Sequence, residues 1–325
     1  FTVQIHSSDV SSTAPSGAQL IGHMRRKRPR WLTLLFTGFA VFCLSVGLSQ
    51  ALAAQPGLES SYGDFDWDLP SWVPKPVVPD DNPMSLAKVE LGRELFYEPR
   101  LSATGDSSCG TCHLQSLAFA DGKTLPVGVT GQVHPKNSMS LTNVGYNSVQ
   151  TWANPLMQHL EQQMLVPLFG ENPVELGIAG RETELLNTLQ TDPTYLAQFE
   201  AAFEEEAPVS VRNISLVIAA FERTLLSFNS PYDQYRYGSD RTAISASAKR
   251  GEALFNSERM ECFHCHSGLN FSDSAHHERS GFVEVAFHNT GLYNLDGSGA
   301  YPPGNTGVEE ITHDPSDMGR FRAPT

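Results

Sequence analysis

Basic side chains are scarce in this sequence. Its 325 residues include 22 Lys and Arg against 36 Asp and Glu, a formal net charge of −14. Because an acidic surface repels phosphate, we expect no nucleic-acid-binding role. Strand patterns are also few. Hydrophobic residues make up 40% of the chain, which is enough for the cores of one large or two modest domains.

Cysteines are also few, but four of the five occur in two copies of one motif. The fifth, Cys43, lies in an N-terminal apolar segment, while Cys109–His113 reads CGTCH and Cys262–His266 reads CFHCH. C-x-x-C-H is the attachment sequence of haem c, in which two thiols bind the vinyl groups of one porphyrin and the adjacent His ligates the iron. The pattern predicts two covalent haem c groups. The thiols are those of Cys109, Cys112, Cys262 and Cys265, and the iron ligands are His113 and His266.

Other uses of paired cysteines fit this arrangement less well. The two C-x-x-C pairs of a zinc ribbon are about 15–20 residues apart, whereas about 150 residues separate these two. A thioredoxin-like redox pair needs one motif near a βαβ pattern, which the sequence lacks. Structural disulfides would suit an exported chain, but they do not explain a His directly after each pair.

The N-terminal segment has the order of a secretory signal. Residues 1–23 are polar and without pattern, and we interpret them as an extension upstream of the native start. Residues 24–53 combine a basic stretch at Arg25–Arg30, an apolar run at Trp31–Leu48 and small residues at the A-x-A positions, as signal peptides do. We predict export to the periplasm with cleavage after Ala53. An uncleaved membrane anchor is the alternative, because the apolar run approaches the length that spans a bilayer.

The rest of the chain is predicted to be mainly α-helical. Apolar residues recur at three- and four-residue steps in Val211–Leu225 and lie on one side of a helix expected over Ser85–Phe96. A further helix is expected over Ser245–Phe255. Residues 54–83 are rich in Pro, which favours an extended linker that packs poorly. Residues 268–317 are a Gly- and Pro-rich loop region without clear periodicity.

An internal repeat precedes the two cysteine motifs. Leu91–Phe96 (LGRELF) comes before the first motif and Arg250–Phe255 (RGEALF) before the second, each with a Gly four residues before a Phe. Such self-similarity indicates a repeated structural unit. We therefore expect two tandem cytochrome c-like domains with one covalent haem each, at residues 84–238 and 239–325, the second of them incomplete at its C-terminal end.

Short motifs outside the cysteine pairs carry a family resemblance. They are Leu91–Phe96, Arg100–Ser102, Phe119–Gly122, Asn172–Glu175, Arg223–Leu225, Ser230–Tyr232 and Gly319–Thr325. Together they resemble the di-haem cytochrome c peroxidases and their MauG-type relatives, from about Pro83 to the end of the chain. The Pro-rich lead-in and Phe287–Tyr293 resemble the subgroup associated with methanobactin-type copper systems, whose members oxidise a Trp on a partner protein.

The resemblance implies roles for particular residues. Peroxide would react at the first haem, and the second haem would pass or store electrons. Trp152 matches the family's Trp between the haems, and Gln163 and Glu175 match the Gln and Glu over the peroxide face, with Pro167 close to the iron. Asn137 matches the side-chain ligand of a calcium ion between the domains. A carboxylate suits the acid–base work of moving a proton between the two peroxide oxygens.

Simpler explanations exist for some of these residues. The Asn-Pro-x-Glu sequence that ends at Glu175 is also typical of a helix start, with the acid near the positive end of the helix. A Trp such as Trp152 is more often a core residue than an electron route. The other histidines lack ligand spacing and are interpreted as surface or loop residues. They are His134, His159, His264, His276, His277, His288 and His313.

Two features depart from the family pattern. Aligning Gly128 and Asn137 with the loop after the first haem motif puts Val129 where reduction-activated peroxidases carry an iron-capping His. Valine cannot bind iron, so the first haem is expected to rest open, as in MauG-type enzymes. The sequence also stops at Thr325, within a motif that continues in the family. We expect the sixth ligand of the second haem (Met or Tyr) and further calcium ligands beyond it.

The predicted function is that of a periplasmic di-haem c peroxidase-family oxidoreductase. Hydrogen peroxide is the expected oxidant, and Val129 favours a residue on a partner protein as the substrate. The alternative is reduction of peroxide to water with electrons from a small cytochrome c or cupredoxin. A non-enzymatic di-haem electron carrier is a second alternative, which an open first haem disfavours. Membrane contact is expected only through the N-terminal segment.

Overall fold

The computed structural model describes residues 65–325. The predicted upstream extension (residues 1–23), the signal peptide (24–53) and the first part of the Pro-rich linker (54–64) lie outside the described residues. Within residues 65–325, no helix is long and apolar enough to cross a membrane.

The described part of the chain is mainly helical, as predicted, and its extended segments pair only as isolated β-bridges. The α-helices are α1 (Leu86–Phe96), α2 (Cys109–Cys112), α3 (Leu160–Gln163), α4 (Leu165–Phe169), α5 (Glu182–Thr191), α6 (Pro193–Ala202), α7 (Val211–Arg223), α8 (Pro231–Arg236), α9 (Ala246–Phe255) and α10 (Glu309–Thr312). Short 3-10 turns occur at Pro99–Leu101, Gln115–Leu117, Val144–Tyr146, Cys262–His264, Leu269–Phe271 and Pro315–Asp317.

Helices α1 and α7 form the centre of the core. Each starts at a serine that caps the first turn: Ser85 accepts a hydrogen bond from the N–H of Lys88, and Ser210 accepts one from the N–H of Asn213. Every residue of α7 from Asn213 to its end is buried. The predicted helix is therefore confirmed, but its polar face is buried as well as its apolar face.

Gly92 lets α1 lie directly against α7. A Cβ atom at this position would be 1.9 Å from the carbonyl oxygen of Val217. The corresponding glycine of the repeat, Gly251 in α9, would place a Cβ in open space, with no described atom within 4 Å. The repeated glycine is therefore a packing requirement in the first copy only.

A buried polar cluster joins α3 to α7. Arg223 Nη1 lies 2.7 Å from Glu161 Oε1, and Asn82 Nδ2 donates to Glu161 and to the carbonyl of Leu216. Removing one partner of a buried ion pair leaves a charge without compensation, at a cost of about 3–5 kcal/mol. The cluster thereby holds α3, whose last residue is Gln163, against the core.

The Pro-rich segment packs into the core where the structure describes it. Trp67, Val73 and Val78 are buried, and the hydroxyl of Tyr146 donates to the carbonyl of Pro74 at 2.7 Å. The segment forms no helix, as expected, but the prediction that it packs poorly is wrong for residues 65–83. Proline restricts the backbone, whereas the apolar side chains between the prolines remain free to be buried.

Candidate active site

The two C-x-x-C-H motifs orient their histidines in the same way. His113 Nδ1 lies 2.7 Å from the carbonyl oxygen of Phe119, and His266 Nδ1 lies 2.9 Å from the carbonyl oxygen of Phe271. A carbonyl only accepts, so each Nδ1 is the donor, and in a neutral ring Nε2 then keeps the lone pair that a metal binds. Iron-ligating histidines are commonly fixed by this second hydrogen bond. Burial also lowers the pKa of His113, which favours the neutral ring that a metal requires.

The helix before each motif contributes an aromatic ring beside the His. Phe96 at the end of α1 has its ring centroid 6.4 Å from that of His113, and Phe255 at the end of α9 has its centroid 6.4 Å from that of His266. The sequence repeat therefore has a structural counterpart at both sites. The division into tandem domains at residues 84–238 and 239–325 stays a prediction.

One cavity of about 300 Å³ brings most of the predicted site residues together. It contains the first cysteine motif and is lined by side chains from distant parts of the chain. The predicted residues that line it are Cys109, Cys112, His113, Val129, Asn137, Trp152, Gln163, Pro167 and Glu175. Gln163 is the last residue of α3, and Pro167 lies in α4. Glu175 lies in the turn that follows α4.

Backbone hydrogen bonds fix the turn that carries Glu175. The N–H of Val129 donates to the carbonyl of Glu175, and the N–H of Leu176 donates to the carbonyl of Pro167, both at 2.9 Å. Burial raises the pKa of the Glu175 carboxyl. The helix-start explanation for this residue does not apply, because the next helix begins only at Glu182.

A second cavity, of about 400 Å³, has Cys265 and His266 of the second cysteine motif in its wall. The structure does not bring the predicted Cys262 into the lining of this cavity. Trp152 lines both cavities, and so does Asn137. The indole Nε1 of Trp152 donates to the carbonyl of Asn137 at 3.0 Å, and the carbonyl of Trp152 accepts from the N–H of Arg322 at 2.9 Å. Trp152 is therefore held between the two sites and is not a residue of the hydrophobic core.

The residues of both cavities suit the binding of a haem, whose propionate groups are carboxylates. The described cysteines form no disulfide, so their thiols are available for thioether bonds. In the second cavity the buried guanidinium of Arg322 has one nitrogen, Nη1, without a hydrogen-bond partner among the described residues. In the first, burial raises the pKa of Glu222 to about 8, and its Oε2 has no partner among those residues. A cationic donor and a protonated acid suit the anionic edge of a porphyrin.

Some site residues were missed by the sequence analysis. His134, interpreted as a surface or loop residue, lines the first cavity with its Nε2 3.5 Å from Glu175 Oε1. His288, also interpreted in that way, lines the second cavity and pairs with Asp273 at 2.5 Å. Sequence spacing gives no signal for either contact. The calcium ion assigned to Asn137 stays a prediction.

Comparisons with known proteins agree with this geometry. A family model described as di-haem cytochrome c peroxidase matches residues 86–241. The methylamine utilization protein MauG of Methylorubrum extorquens is 33% identical over 236 residues, which are 73% of this chain and 64% of MauG. The chain thus spans slightly less than two thirds of that relative. The cytochrome-c peroxidase IdrP1 of Denitromonas iodatirespirans is 31% identical over 298 residues, 86% of this chain and 77% of the relative.

Solved structures give the same result. A MauG-like protein associated with microbial copper homeostasis superposes with a TM-score of 0.77 at 46% identity, covering 80% of this chain and 74% of that one. The di-haem peroxidase BthA of Burkholderia thailandensis has a TM-score of 0.57 at 20% identity over 75% of this chain and 66% of its own, which shows the shared fold. The family resemblance predicted from the sequence is confirmed. This chain belongs to the di-haem cytochrome c peroxidase family.

Proposed function

We propose that this chain is a peroxide-dependent oxidoreductase with two covalent haems that oxidises a residue on a partner protein. The main support is that one cavity holds the Cys109–His113 motif together with Val129, Gln163 and Glu175. Haem bound there supplies a redox-active iron at which hydrogen peroxide can be reduced. The remaining work of binding, orientation and proton transfer falls to the side chains of the chain.

Glu175 is the proposed acid–base residue of this cavity. Reduction of peroxide requires that a proton leave one oxygen and that a proton reach the other. Because burial raises the pKa of Glu175, its carboxyl takes up a proton more readily than an exposed glutamate would. Gln163 lines the same cavity, and we assign to its amide Nε2 the orientation of peroxide through a hydrogen bond.

Trp152 is the proposed electron route between the two sites. It lines both cavities, and hydrogen bonds at its indole Nε1 and at its backbone carbonyl hold it in place. An indole ring can lose and regain single electrons. Oxidising equivalents from peroxide would thereby reach the second site, around His266, as well as the first.

The similarity to known proteins supports a partner protein as the substrate. The structure that is 46% identical over 80% of this chain belongs to a MauG-like protein, and MauG itself is a relative. A cytochrome-c peroxidase is also a relative, at 31% identity over 86% of this chain. This similarity supports a second candidate function, the reduction of peroxide with electrons from a small cytochrome c or cupredoxin.

Two further parts of the proposal rest on the sequence. Residues 24–53 support export to the periplasm with cleavage after Ala53. Asn137 supports a calcium ion near the two cavities, since an amide oxygen is a suitable calcium ligand. Asn137 lines both cavities, so an ion there would stiffen the support of Trp152.

The experiment that tests the proposed function uses full-length protein matured with two haems, verified by mass. The fully oxidised protein is mixed with hydrogen peroxide and followed by stopped-flow absorbance. We expect a reaction without prior reduction, because Val129, unlike a histidine, could not bind the iron of a haem held by His113. Val129→His should make the reaction depend on prior reduction. Oxidised wild-type protein that does not react with peroxide would contradict the proposal.

A matched control for this substitution is Val133→His. Val133 is 58% exposed and lines neither cavity, so the same new imidazole should leave the peroxide reaction unchanged. If both variants reacted with peroxide in the same way, the proposal that Val129 keeps the first site open would be contradicted.

A further inference from the structure

His134 faces Glu175 inside the first cavity. The two residues are far apart in the sequence, yet His134 Nε2 lies 3.5 Å from Glu175 Oε1, and both side chains line the cavity. This distance is longer than a hydrogen bond. The distance between two catalytic side chains is often this long before the substrate binds. The imidazole is 27% exposed, so it borders the cavity and solvent at once.

The other ring nitrogen of His134 has a partner for either protonation state. The N–H of Lys136 lies 3.1 Å from His134 Nδ1, and the carbonyl oxygen of Lys136 lies 3.0 Å from the same atom. In the neutral ring Nδ1 can accept from the N–H, which puts the ring proton on Nε2 and towards Glu175. In the imidazolium Nδ1 can donate to the carbonyl. The ring can therefore gain and lose a proton without losing its hydrogen bond.

Lys136 and Glu310 are charged groups that act on His134. Lys136 Nζ is 2.9 Å from Glu310 Oε2, so this cation already has a partner. Burial lowers the pKa of His134; Lys136 also lowers it, whereas the backbone hydrogen bond and Glu310 raise it. Burial raises the pKa of Glu175. The two shifts bring the histidine and the carboxyl closer in proton affinity.

We propose that His134 is a positioning residue that supplies protons from solvent to Glu175. The inference rests on the proposed function. Peroxide reduction follows H₂O₂ + 2 H⁺ + 2 e⁻ → 2 H₂O, with the electrons taken from the residue or redox protein that is oxidised. Any protons released by that oxidation appear where the substrate binds, so the first cavity needs a supply of its own. Imidazolium at His134 gives the Nε2 proton to Glu175 Oε1 and returns to the neutral ring.

The test compares His134→Gln with wild-type protein in the two-haem form. Glutamine can still donate a hydrogen bond to Glu175, but it cannot carry a proton from solvent. We expect about a 10²-fold slower turnover of peroxide to water with a reduced electron donor, a changed pH–rate profile and unchanged haem content. His134→Ala should be slow in the same way and should regain rate when free imidazole is added. His313→Gln, at an exposed position outside both cavities, is the control and should react like wild type.

Three results would overturn the inference. His134→Gln could react at the wild-type rate with the wild-type pH profile. The resting spectrum of the first haem could change from low-spin to high-spin in the variant, which would make His134 an iron ligand. Both variants could lose haem, which would make its role structural. Failure of wild-type protein to react with peroxide is a separate outcome, because it contradicts the proposed function itself.

Discussion

A substitution at Glu175 can test the proposed chemistry without changing the fold. Its carboxyl faces a cavity, and its backbone is held by Val129. We predict that Glu175→Gln slows the peroxide reaction by about 10²–10⁴, the range for a positioned acid–base group. Haem content and the resting spectrum should stay the same, because the substitution keeps the size of the side chain. Stopped-flow absorbance after mixing with peroxide measures the effect.

Glu171→Gln is the matched control for this prediction. Glu171 is exposed, precedes the same turn and lines neither cavity, so its loss of charge should not change the rate. If Glu175→Gln reacted as fast as the control, Glu175 would have no acid–base role.

The sequence alone predicted the residues whose role follows from a short local motif. Cys109, His113 and their second copy follow from C-x-x-C-H alone, whereas the grouping of Trp152 and Glu175 came from a family resemblance. His134 could not be found in either way. Its partner lies 41 positions further along the chain, and only the fold brings the two side chains together.

At the scale of elements, the close approach of α1 and α7 gives a sharp prediction about stability. Gly92→Ala would put a Cβ 1.9 Å from the carbonyl oxygen of Val217, and such overpacking lowers the free energy of unfolding by about 1–3 kcal/mol. Gly251→Ala makes the same change in α9, where the Cβ meets open space. There it should raise the free energy of unfolding by about 0.5–1 kcal/mol, because alanine is the better helix former. Thermal unfolding of the two variants measures both effects.

Equal destabilisation by the two substitutions would contradict this account of the repeat. The repeated glycine was visible in the sequence, but its different roles were not, because they depend on which helix lies opposite. The same reason explains the Pro-rich segment. Its composition predicted an extended chain, whereas the burial of Trp67 and Val78 depends on surfaces that distant helices provide.

At the scale of the whole molecule, the two cavities meet at Trp152, which lines both of them beside Lys136 and Asn137. The first contains the Cys109–His113 motif and the second contains Cys265 and His266, and Trp152 lines both. Backbone contacts from Asn137 and Arg322 reach Trp152 from two sides. Segments that are far apart in the sequence thus hold Trp152 in place, one at its indole and one at its backbone, which is the arrangement expected if the two sites exchange electrons.

The most direct test of this claim is a stopped-flow comparison of Trp152→Phe with Trp72→Phe in the two-haem protein. Trp72 stacks on Tyr237 at 3.9 Å and lines neither cavity, so it controls for the loss of an indole. After peroxide is added, we predict that Trp152→Phe still shows the absorbance change of the haem bound at His113. The later absorbance change of the haem bound at His266 should be lost or delayed in this variant. Trp72→Phe should behave like wild type. Normal oxidation of the second haem in Trp152→Phe would contradict the account.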